Sequence, residues 1–505
     1  MSTIVIASLN ARYIHASLGA RYLLANMAEL RDETRLIEHD INTSLADVAE
    51  GLLRDKPRII GLGVYVWNAS EARELVQIIK TVSPETVVVL GGPEVSYEID
   101  DQEICKLADY VIPGQGDLAF AGLCRLILKG DLPQDKVYRP SAFSLSDIAL
   151  PYDEYTGEDI ARRVIYVEAS RGCPFRCEFC LSSLDKTVYP FDLDRFLGEI
   201  QKLYDRGVRS FKFIDRTFNL KTATSIRIME FFLDKMREEP VYVHFELVPD
   251  KLPDELKAVI SRFPEHSIQF EIGIQSFNPD VQALISRKQD NKKSEANLRW
   301  IRNETNAHIH ADLIVGLPGE DVTSLANGFN RLVALNPHEI QVGVLKRLRG
   351  TPIIRHTRDF GMRYSPLAPY TILSNELIDF ATMQRLKRFA RYWDMIGNSG
   401  RFKHSRTLLL GSNPFERFLD FSDWLHARCG RTHGIALERL FGFVYQAMTG
   451  NFGIAPAEAE AVLMQDYLAS GLRSEPRFMY DMAHKHEHSN DVGKRPTETR
   501  QRRHS

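Results

Sequence analysis

Short apolar runs alternate with amphipathic stretches over residues 1–130, and this pattern predicts strands joined by helices. Alternation of this kind favours a doubly wound parallel sheet, which is an α/β fold. Glycine-rich turns follow the last two predicted strands, where open α/β sheets bind ligands because a residue without a side chain lets a ligand approach the backbone. The predicted strands span residues 3–9, 58–66, 86–90 and 110–112, and the predicted helices include 17–30 and 69–82.

A second strand–helix series begins near residue 161, after a segment rich in Pro, Asp and Ser that we interpret as a linker over 131–160. Six strands, each joined to the next by a helix, predict a partial (β/α)6 TIM-type barrel over 161–355 rather than a closed eight-fold barrel. The predicted strands are 164–169, 211–214, 241–247, 267–274, 309–315 and 339–345.

The remainder of the chain has a helical pattern and little strand pattern. Residues 356–483, with 434–448 as an example, therefore predict a mainly helical C-terminal region. Residues 484–505 are rich in His, Lys and Arg and contain few residues that could pack, so we expect a disordered tail. The run from His484 to His488 in this tail could bind a metal ion or simply be solvated.

Composition narrows the class of protein. The chain has 505 residues, of which 44% are hydrophobic and 26% charged, as in globular proteins. Its formal net charge of −3 gives no reason to expect nucleic-acid binding. No apolar run is long enough for a membrane helix, and no basic segment typical of a signal peptide precedes the first strand. Three of the six cysteines lie within eight residues, which favours metal binding in a reducing compartment, so we expect a cytoplasmic protein.

Cys173, Cys177 and Cys180 follow the first strand of the second series, with three and two residues between them. This spacing lets one short loop bring three thiolates to a [4Fe–4S] cluster, and three ligands leave one iron open to a further ligand. Two alternatives are a structural zinc site and three unconnected core cysteines. Zinc needs four ligands, and no His or Cys follows at a usual spacing.

The pattern C-x3-C-x2-C, with Phe179 before its last cysteine, resembles that of the radical S-adenosylmethionine (SAM) superfamily. The six-strand barrel predicted above matches the fold of that family. The resemblance implies that SAM chelates the open iron and is cleaved reductively to a 5′-deoxyadenosyl radical. It also implies an electron donor such as flavodoxin or ferredoxin.

Further segments resemble the SAM-binding landmarks of this family. Asp215 lies where a Gly-Gly-Glu motif is common, and its carboxylate could accept a hydrogen bond from the methionine ammonium. Glu271 and Gln275 lie on a later strand whose polar residues approach the ribose and methionine. Gly316 and Pro318 belong to a Gly-Leu-Pro-Gly loop that resembles the one near the adenine, although such a sequence can equally be a simple turn.

The N-terminal region resembles the Rossmann-like domain of cobalamin-binding radical enzymes. The segments Gly91-Gly-Pro-Glu94 and Gly114-Gln-Gly-Asp117 partly match the turns of those proteins, whereas the Asp-x-His-x-x-Gly motif that supplies an axial histidine is absent. The alternative is a domain that has lost the cofactor and only packs on the barrel. The residues expected at cobalamin are Asn10, Tyr65, Trp67, Gly91, Gly92, Gly114 and Gly116.

Together these resemblances imply a cobalamin-dependent radical SAM enzyme that methylates or rearranges an unknown substrate. A non-catalytic corrinoid- or redox-sensing module is the alternative. The helical region resembles the C-terminal domain of unknown function found in a subgroup of these proteins, and the sequence identifies no catalytic side chain.

Overall fold

The computed structural model describes residues 3–139, 141 and 143–472. The N-terminal region is built on a five-stranded parallel sheet in the order β2-β1-β3-β4-β5, covered by helices on both faces. Its strands are β1 Ile4–Asn10, β2 Thr34–Asp40, β3 Ile59–Gly63, β4 Val87–Gly91 and β5 Tyr110–Ile112. Its helices are α1 Leu18–Ala25, α2 Leu45–Leu53, α3 Ala69–Val82, α4 Glu103–Leu107 and α5 Ala119–Lys129.

The predicted doubly wound sheet is confirmed, but the prediction of four strands omitted β2. This strand lies at the edge of the sheet and pairs only with β1. It is partly exposed along most of its length and carries Arg35, Glu38 and Asp40, so it has no apolar run to reveal it. The helix predicted over 17–30 is also shorter, because α1 ends at Ala25 and a 3-10 turn follows.

The second sheet has six parallel strands, in agreement with the predicted partial barrel. Their order is β13-β12-β11-β10-β9-β6, and the two-stranded β7–β8 ribbon lies beside the cysteine segment. The strands are β6 Ile165–Val167, β7 Ser170–Arg171, β8 Tyr189–Pro190, β9 Ser210–Phe213, β10 Tyr242–Leu247, β11 Ile268–Gln275, β12 His308–Val315 and β13 Glu339–Val344. The helices are α6 Gly157–Arg162, α7 Leu193–Asp205, α8 Thr222–Lys235, α9 Asp254–Ile260, α10 Pro279–Leu284, α11 Asn291–Glu304 and α12 Val322–Leu335.

A buried group of four charged side chains joins the N-terminal sheet to the segment before the barrel. Arg21 lies 2.8 Å from both Glu38 and Asp159, and Arg163 lies 2.7 Å from Glu38. Two guanidinium groups and two carboxylates balance in charge, as buried ions must. This pairing fixes Arg21 and Glu38 of the N-terminal region against the segment that leads into the first barrel strand.

The C-terminal region is helical, as predicted, and shares its core with the barrel. Its centre is aromatic: Phe329 of α12 lies 4.7 Å from Trp393 and 5.1 Å from Phe389, measured between ring centroids. The predicted tail lies outside the described residues. No helix in the described part of the chain is both long and apolar enough to cross a membrane. The elements are β14 Arg363–Tyr364, β15 Ile372–Ser374, α13 Phe380–Ile396, α14 Lys403–Leu410, α15 Pro414–Cys429, α16 Leu437–Gln446 and α17 Pro456–Ala469, with a π-helical turn at Ala447–Asn451.

Candidate cofactor sites

The three clustered cysteines lie in one loop and line one pocket of about 240 Å³, which we call the cysteine pocket. The loop leaves β7 through Gly172, whose φ of +90° favours glycine. A Cβ at this position would lie 1.9 Å from the carbonyl oxygen of Thr187, so the close approach of the two backbones also requires glycine. Among the described residues, no group of three or more His, Cys, Asp or Glu side chains has the geometry to hold a single metal ion. In a four-iron cube each thiolate binds a different iron, and three thiols on one pocket wall suit that ligand set.

Positive charge lies beside these thiols. Burial raises the pKa of the Cys173 and Cys177 thiols, which disfavours the thiolate form that binds iron. The guanidinium of Arg287 opposes this effect, with its Nη1 3.6 Å from Cys177 Sγ. Arg216 lines the same pocket and is held by Glu246 at 2.8 Å. Both cations favour thiolate and the net negative charge of a thiolate-ligated cluster.

Glu178, between the second and third cysteines, anchors the loop. Its buried carboxylate accepts hydrogen bonds from Ser286 Oγ at 2.6 Å and Arg355 Nε at 2.7 Å, and lies 2.9 Å from His356 Nε2. Its backbone N–H donates to the carbonyl of Ile285 at 3.0 Å. The cysteine loop is therefore fixed to two other loops of the barrel.

The cysteine pocket also has a polar wall, which includes the predicted residues Glu271 and Gln275. Burial opposes ionisation of Glu271, but the nearby imidazole of His244 and the Lys212 ammonium lower the pKa of this carboxyl to about 2. Asp312 also lines the pocket, and its buried Oδ1 lies 3.2 Å from His310 Nε2. The ionised carboxylate of Glu271 suits a cationic, hydrogen-bonding ligand such as an amino-acid ammonium group.

Asp215 does not line this pocket. Its carboxylate accepts from the Ala169 N–H at 3.0 Å and from Ser170 Oγ at 2.6 Å, and thereby holds the backbone that leads into the cysteine loop. Burial raises the pKa of Asp215 to about 7. Each oxygen accepts one hydrogen bond from this segment, and the contact with the methionine ammonium that the resemblance implied stays a prediction.

The Gly-Leu-Pro-Gly loop is also placed away from the pocket lining. Gly316 packs against Ile372 and Met383 of the C-terminal region, and Pro318 is buried. The following Glu320 accepts a hydrogen bond from Ser276 at 2.5 Å, and burial raises its pKa to about 7. The loop connects the barrel to the C-terminal region, and its contact with SAM stays a prediction.

A second cavity of about 300 Å³, the sheet cavity, lies at the carboxyl ends of the N-terminal strands. Gly91, Gly92, Gly114 and Gly116 all line it, as the sequence predicted. Gly92 has a φ of +103°, and a Cβ there would lie 2.5 Å from the carbonyl oxygen of Val64, so it is required by the turn itself. A Cβ at Gly116 would make only ordinary contacts, the nearest at 3.6 Å, so this glycine leaves space that a larger side chain would fill. A cavity lined by glycines fits a ligand that approaches the backbone closely.

A third cavity of about 580 Å³, the interdomain cavity, separates the N-terminal sheet from the barrel. Tyr65 and Trp67 form its aromatic wall, with ring centroids 4.3 Å apart and planes within 10°. Tyr65 also lines the sheet cavity, and Arg216 lines both the interdomain cavity and the cysteine pocket. Shared lining residues therefore make the interdomain cavity a neighbour of both the sheet cavity and the cysteine pocket.

Asn10 lies on the interdomain cavity, but its amide is occupied by the protein. It accepts from Ser8 Oγ at 2.8 Å and donates to the carbonyl of His15 at 2.8 Å and to Glu38 at 2.9 Å. This side chain shapes the loop after β1. His15 faces the same cavity and lies 2.7 Å from the hydroxyl of Tyr166 on β6.

Four residues of the site, Glu178, Arg216, Arg287 and Asp312, were not among those predicted from the sequence. Glu178 lies inside the C-x3-C-x2-C pattern, Arg216 follows Asp215, and Asp312 lies four positions before Gly316, so proximity to these segments could have suggested them. Arg287 follows α10 at a place without any motif. Only the fold brings it to Cys177.

Three sequence families match the three regions of the chain. The B12 binding domain matches residues 4–124, the radical SAM superfamily matches residues 167–327, and a protein family of unknown function, DUF4080, matches residues 358–503. The first two matches coincide with the five-stranded sheet and with most of the six-stranded barrel.

Relatives with the first two regions are distant. An uncharacterised methyltransferase of Pyrococcus horikoshii is 24% identical over 59% of this chain and 69% of its own length. The cobalamin-dependent radical SAM methyltransferase TokK of Streptomyces tokunonensis is 26% identical over 64% of this chain, which spans about half (52%) of TokK. The structure of the cobalamin-dependent radical enzyme OxsB superposes with a TM-score of 0.62 at 13% identity, covering 93% of this chain and 83% of OxsB, and shows a common fold. The chain therefore combines an N-terminal region that matches the B12 binding domain, a central region that matches the radical SAM superfamily and a C-terminal region that matches a family of unknown function.

Proposed function

We propose that this protein is a cobalamin-dependent radical SAM methyltransferase that acts on a small-molecule substrate. The observation that carries the proposal is the position of the interdomain cavity, which shares lining residues with both the glycine-lined sheet cavity and the cysteine pocket. Two of the relatives described above are named methyltransferases, which favours methylation over rearrangement.

In this proposal Cys173, Cys177 and Cys180 hold the [4Fe–4S] cluster, and the polar wall with Glu271 and Gln275 binds SAM beside it. The sheet cavity accepts the nucleotide arm of cobalamin, with the corrin at the interdomain cavity against Tyr65. When bound, the cluster and SAM supply a 5′-deoxyadenosyl radical for hydrogen abstraction, and cobalamin supplies methyl transfer.

The side chains of the protein contribute charge and orientation. Arg216 and Arg287 compensate the negative charge of the thiolates. The buried Arg21–Glu38 pair and its neighbours hold the domain interface together, and a substrate in the interdomain cavity would lie between the two cofactor sites.

The proposed electron donor is a small acidic protein of the flavodoxin or ferredoxin class. Exposed cations surround the cysteine loop: Arg176 lies within it, Lys186 follows it, and Lys288 lines the pocket beside it. Positive charge around a redox centre steers an acidic partner to it. A cytoplasmic location completes the proposal, since all six cysteines are free thiols.

Anaerobic purification tests this function. Wild-type protein reconstituted with iron and sulfide should hold about four irons per chain and release 5′-deoxyadenosine from SAM when reduced. Cys177→Ala should lose both properties, whereas Cys105→Ala, Cys124→Ala and Cys429→Ala should keep them.

Two results would oppose the proposal. Iron loss in a variant outside the loop contradicts the cluster assignment. Full iron content without 5′-deoxyadenosine from wild-type protein contradicts the enzymatic function and favours a corrinoid-binding module.

A further inference from the structure

The Gly91–Glu94 turn, whose glycines line the sheet cavity, is held by residues from the other two regions of the chain. Glu94, which follows Gly91 and Gly92, has a buried carboxylate with 3% side-chain exposure. Its Oε1 accepts hydrogen bonds from Tyr370 Oη at 2.6 Å and from Arg349 Nε at 2.8 Å. Arg349 follows the last barrel strand, and Tyr370 lies between the C-terminal strands β14 and β15. One carboxylate therefore joins all three regions.

A second carboxylate extends this contact. Glu98 accepts from Arg347 Nη2 at 2.8 Å and from Arg349 Nη1 at 2.9 Å. We call Glu94, Glu98, Arg347, Arg349 and Tyr370 the interdomain clasp. Its two anions and two cations balance, and hydrogen bonds between charged groups are the strongest that side chains form.

The clasp is connected to the glycines of the cavity by hydrogen bonds. Ser96 Oγ donates to the carbonyl of Gly92 at 2.8 Å and accepts from the Gly114 N–H at 2.9 Å. Gln102 Nε2 donates to the carbonyl of Glu94 at 2.9 Å. The Glu94 turn and both glycine turns thus form one hydrogen-bonded unit.

We propose that the C-terminal region of unknown function sets the affinity of the sheet cavity for cobalamin, through Tyr370 and the clasp. Tyr370 and Arg349 are positioning residues: they hold the Gly91–Glu94 turn in the conformation that binds the ligand. A turn that is already ordered loses less entropy when the ligand binds, so affinity rises. This inference rests on the proposed binding of cobalamin, and it adds a role for the C-terminal region in that binding.

Tyr370→Phe removes one hydroxyl, which donates to Glu94 Oε1 at 2.6 Å and accepts from Arg349 Nη2 at 3.1 Å. Equilibrium dialysis of full-length protein against hydroxocobalamin should give a Kd about tenfold higher than that of wild type, because both lost hydrogen bonds involve charged partners. The matched control is Tyr364→Phe, in the same ribbon, whose hydroxyl lies 3.4 Å from Met362 Sδ. The control should keep the wild-type Kd, and iron content should not change in either variant.

A reciprocal measurement separates positioning from general stability. Binding energy between two coupled sites is mutual, so cobalamin should slow amide hydrogen exchange of residues 363–374 in wild type and slow it less in Tyr370→Phe. A purely structural role would speed this exchange equally with and without cobalamin. If Tyr370→Phe does not fold, Glu94→Gln tests the same contact and should also raise the Kd.

The outcomes distinguish the two proposals. Wild-type protein that retains no cobalamin contradicts the proposed function. Wild-type protein that binds cobalamin, with a Tyr370→Phe or Glu94→Gln variant that binds it equally well, contradicts the role of the clasp alone.

Discussion

Asp215→Asn distinguishes between two roles for this residue, namely anchoring the cysteine loop and binding the methionine ammonium. The structure favours the anchoring role, because both carboxylate oxygens already accept from Ala169 and Ser170. An asparagine can keep both contacts, since the hydroxyl of Ser170 can accept as well as donate. We therefore expect the variant to fold, to hold its cluster and to bind SAM with unchanged affinity.

The variant should alter how stability depends on pH. Burial raises the pKa of Asp215 to about 7 in the folded protein, compared with about 4 for an unfolded chain. A folded pKa above the unfolded value means that the folded state binds the proton more tightly. The resulting stability is complete below about pH 4 and is lost as the pH rises through 7. With about 1.4 kcal/mol for each pKa unit, wild-type protein should lose about 2.5 kcal/mol of this contribution between pH 5 and pH 8.

The assay is urea unfolding of the full-length apoprotein at both pH values, with SAM binding measured separately on reconstituted protein. Asp215→Asn should remove about 2.5 kcal/mol of the wild-type difference in unfolding free energy. Asp131→Asn, a change at an exposed carboxylate, serves as control and should leave the difference intact. An unchanged pH dependence in Asp215→Asn would refute the argument that the buried carboxyl has a raised pKa. Loss of SAM binding would instead support a contact between Asp215 and the methionine ammonium.

Two further changes test the other cofactor site and the electron donor. Gly116→Leu should raise the Kd for hydroxocobalamin about tenfold by filling the sheet cavity. Gly198→Leu, at an exposed position of α7, should not change this Kd, and equal affinity in both variants would mean that cobalamin does not bind in the sheet cavity. Arg176→Glu should slow reduction of the cluster by flavodoxin but not by dithionite. The reduction is measured as the decrease in visible absorption of the cluster. The exposed control Arg237→Glu should match wild type, and a similar slowing in that variant would exclude a docking surface at the cysteine loop.

The sequence by itself determined the features that depend on neighbouring residues. The spacing of Cys173, Cys177 and Cys180 brings three thiols into one loop whatever the surrounding fold. The alternation of apolar strands and amphipathic helices predicted the six strands of the barrel correctly. Each strand of a parallel sheet is buried on both faces and therefore forms an apolar run that the sequence shows. The glycines of the sheet cavity could also be predicted from the sequence, since they directly follow apolar strands.

The tertiary structure decided which side chains meet. Asp215 and Arg216 are neighbours in sequence, yet one anchors the loop and the other lines the pocket, because adjacent residues after a strand project in different directions. Glu94 and Tyr370 are 276 positions apart, and no local pattern could pair them. Strand β2 was not predicted from the sequence for a related reason. An edge strand is held by backbone pairing with its neighbour, so it does not need an apolar run. Such contacts are fixed when remote segments pack together, which is why only the folded chain reveals them.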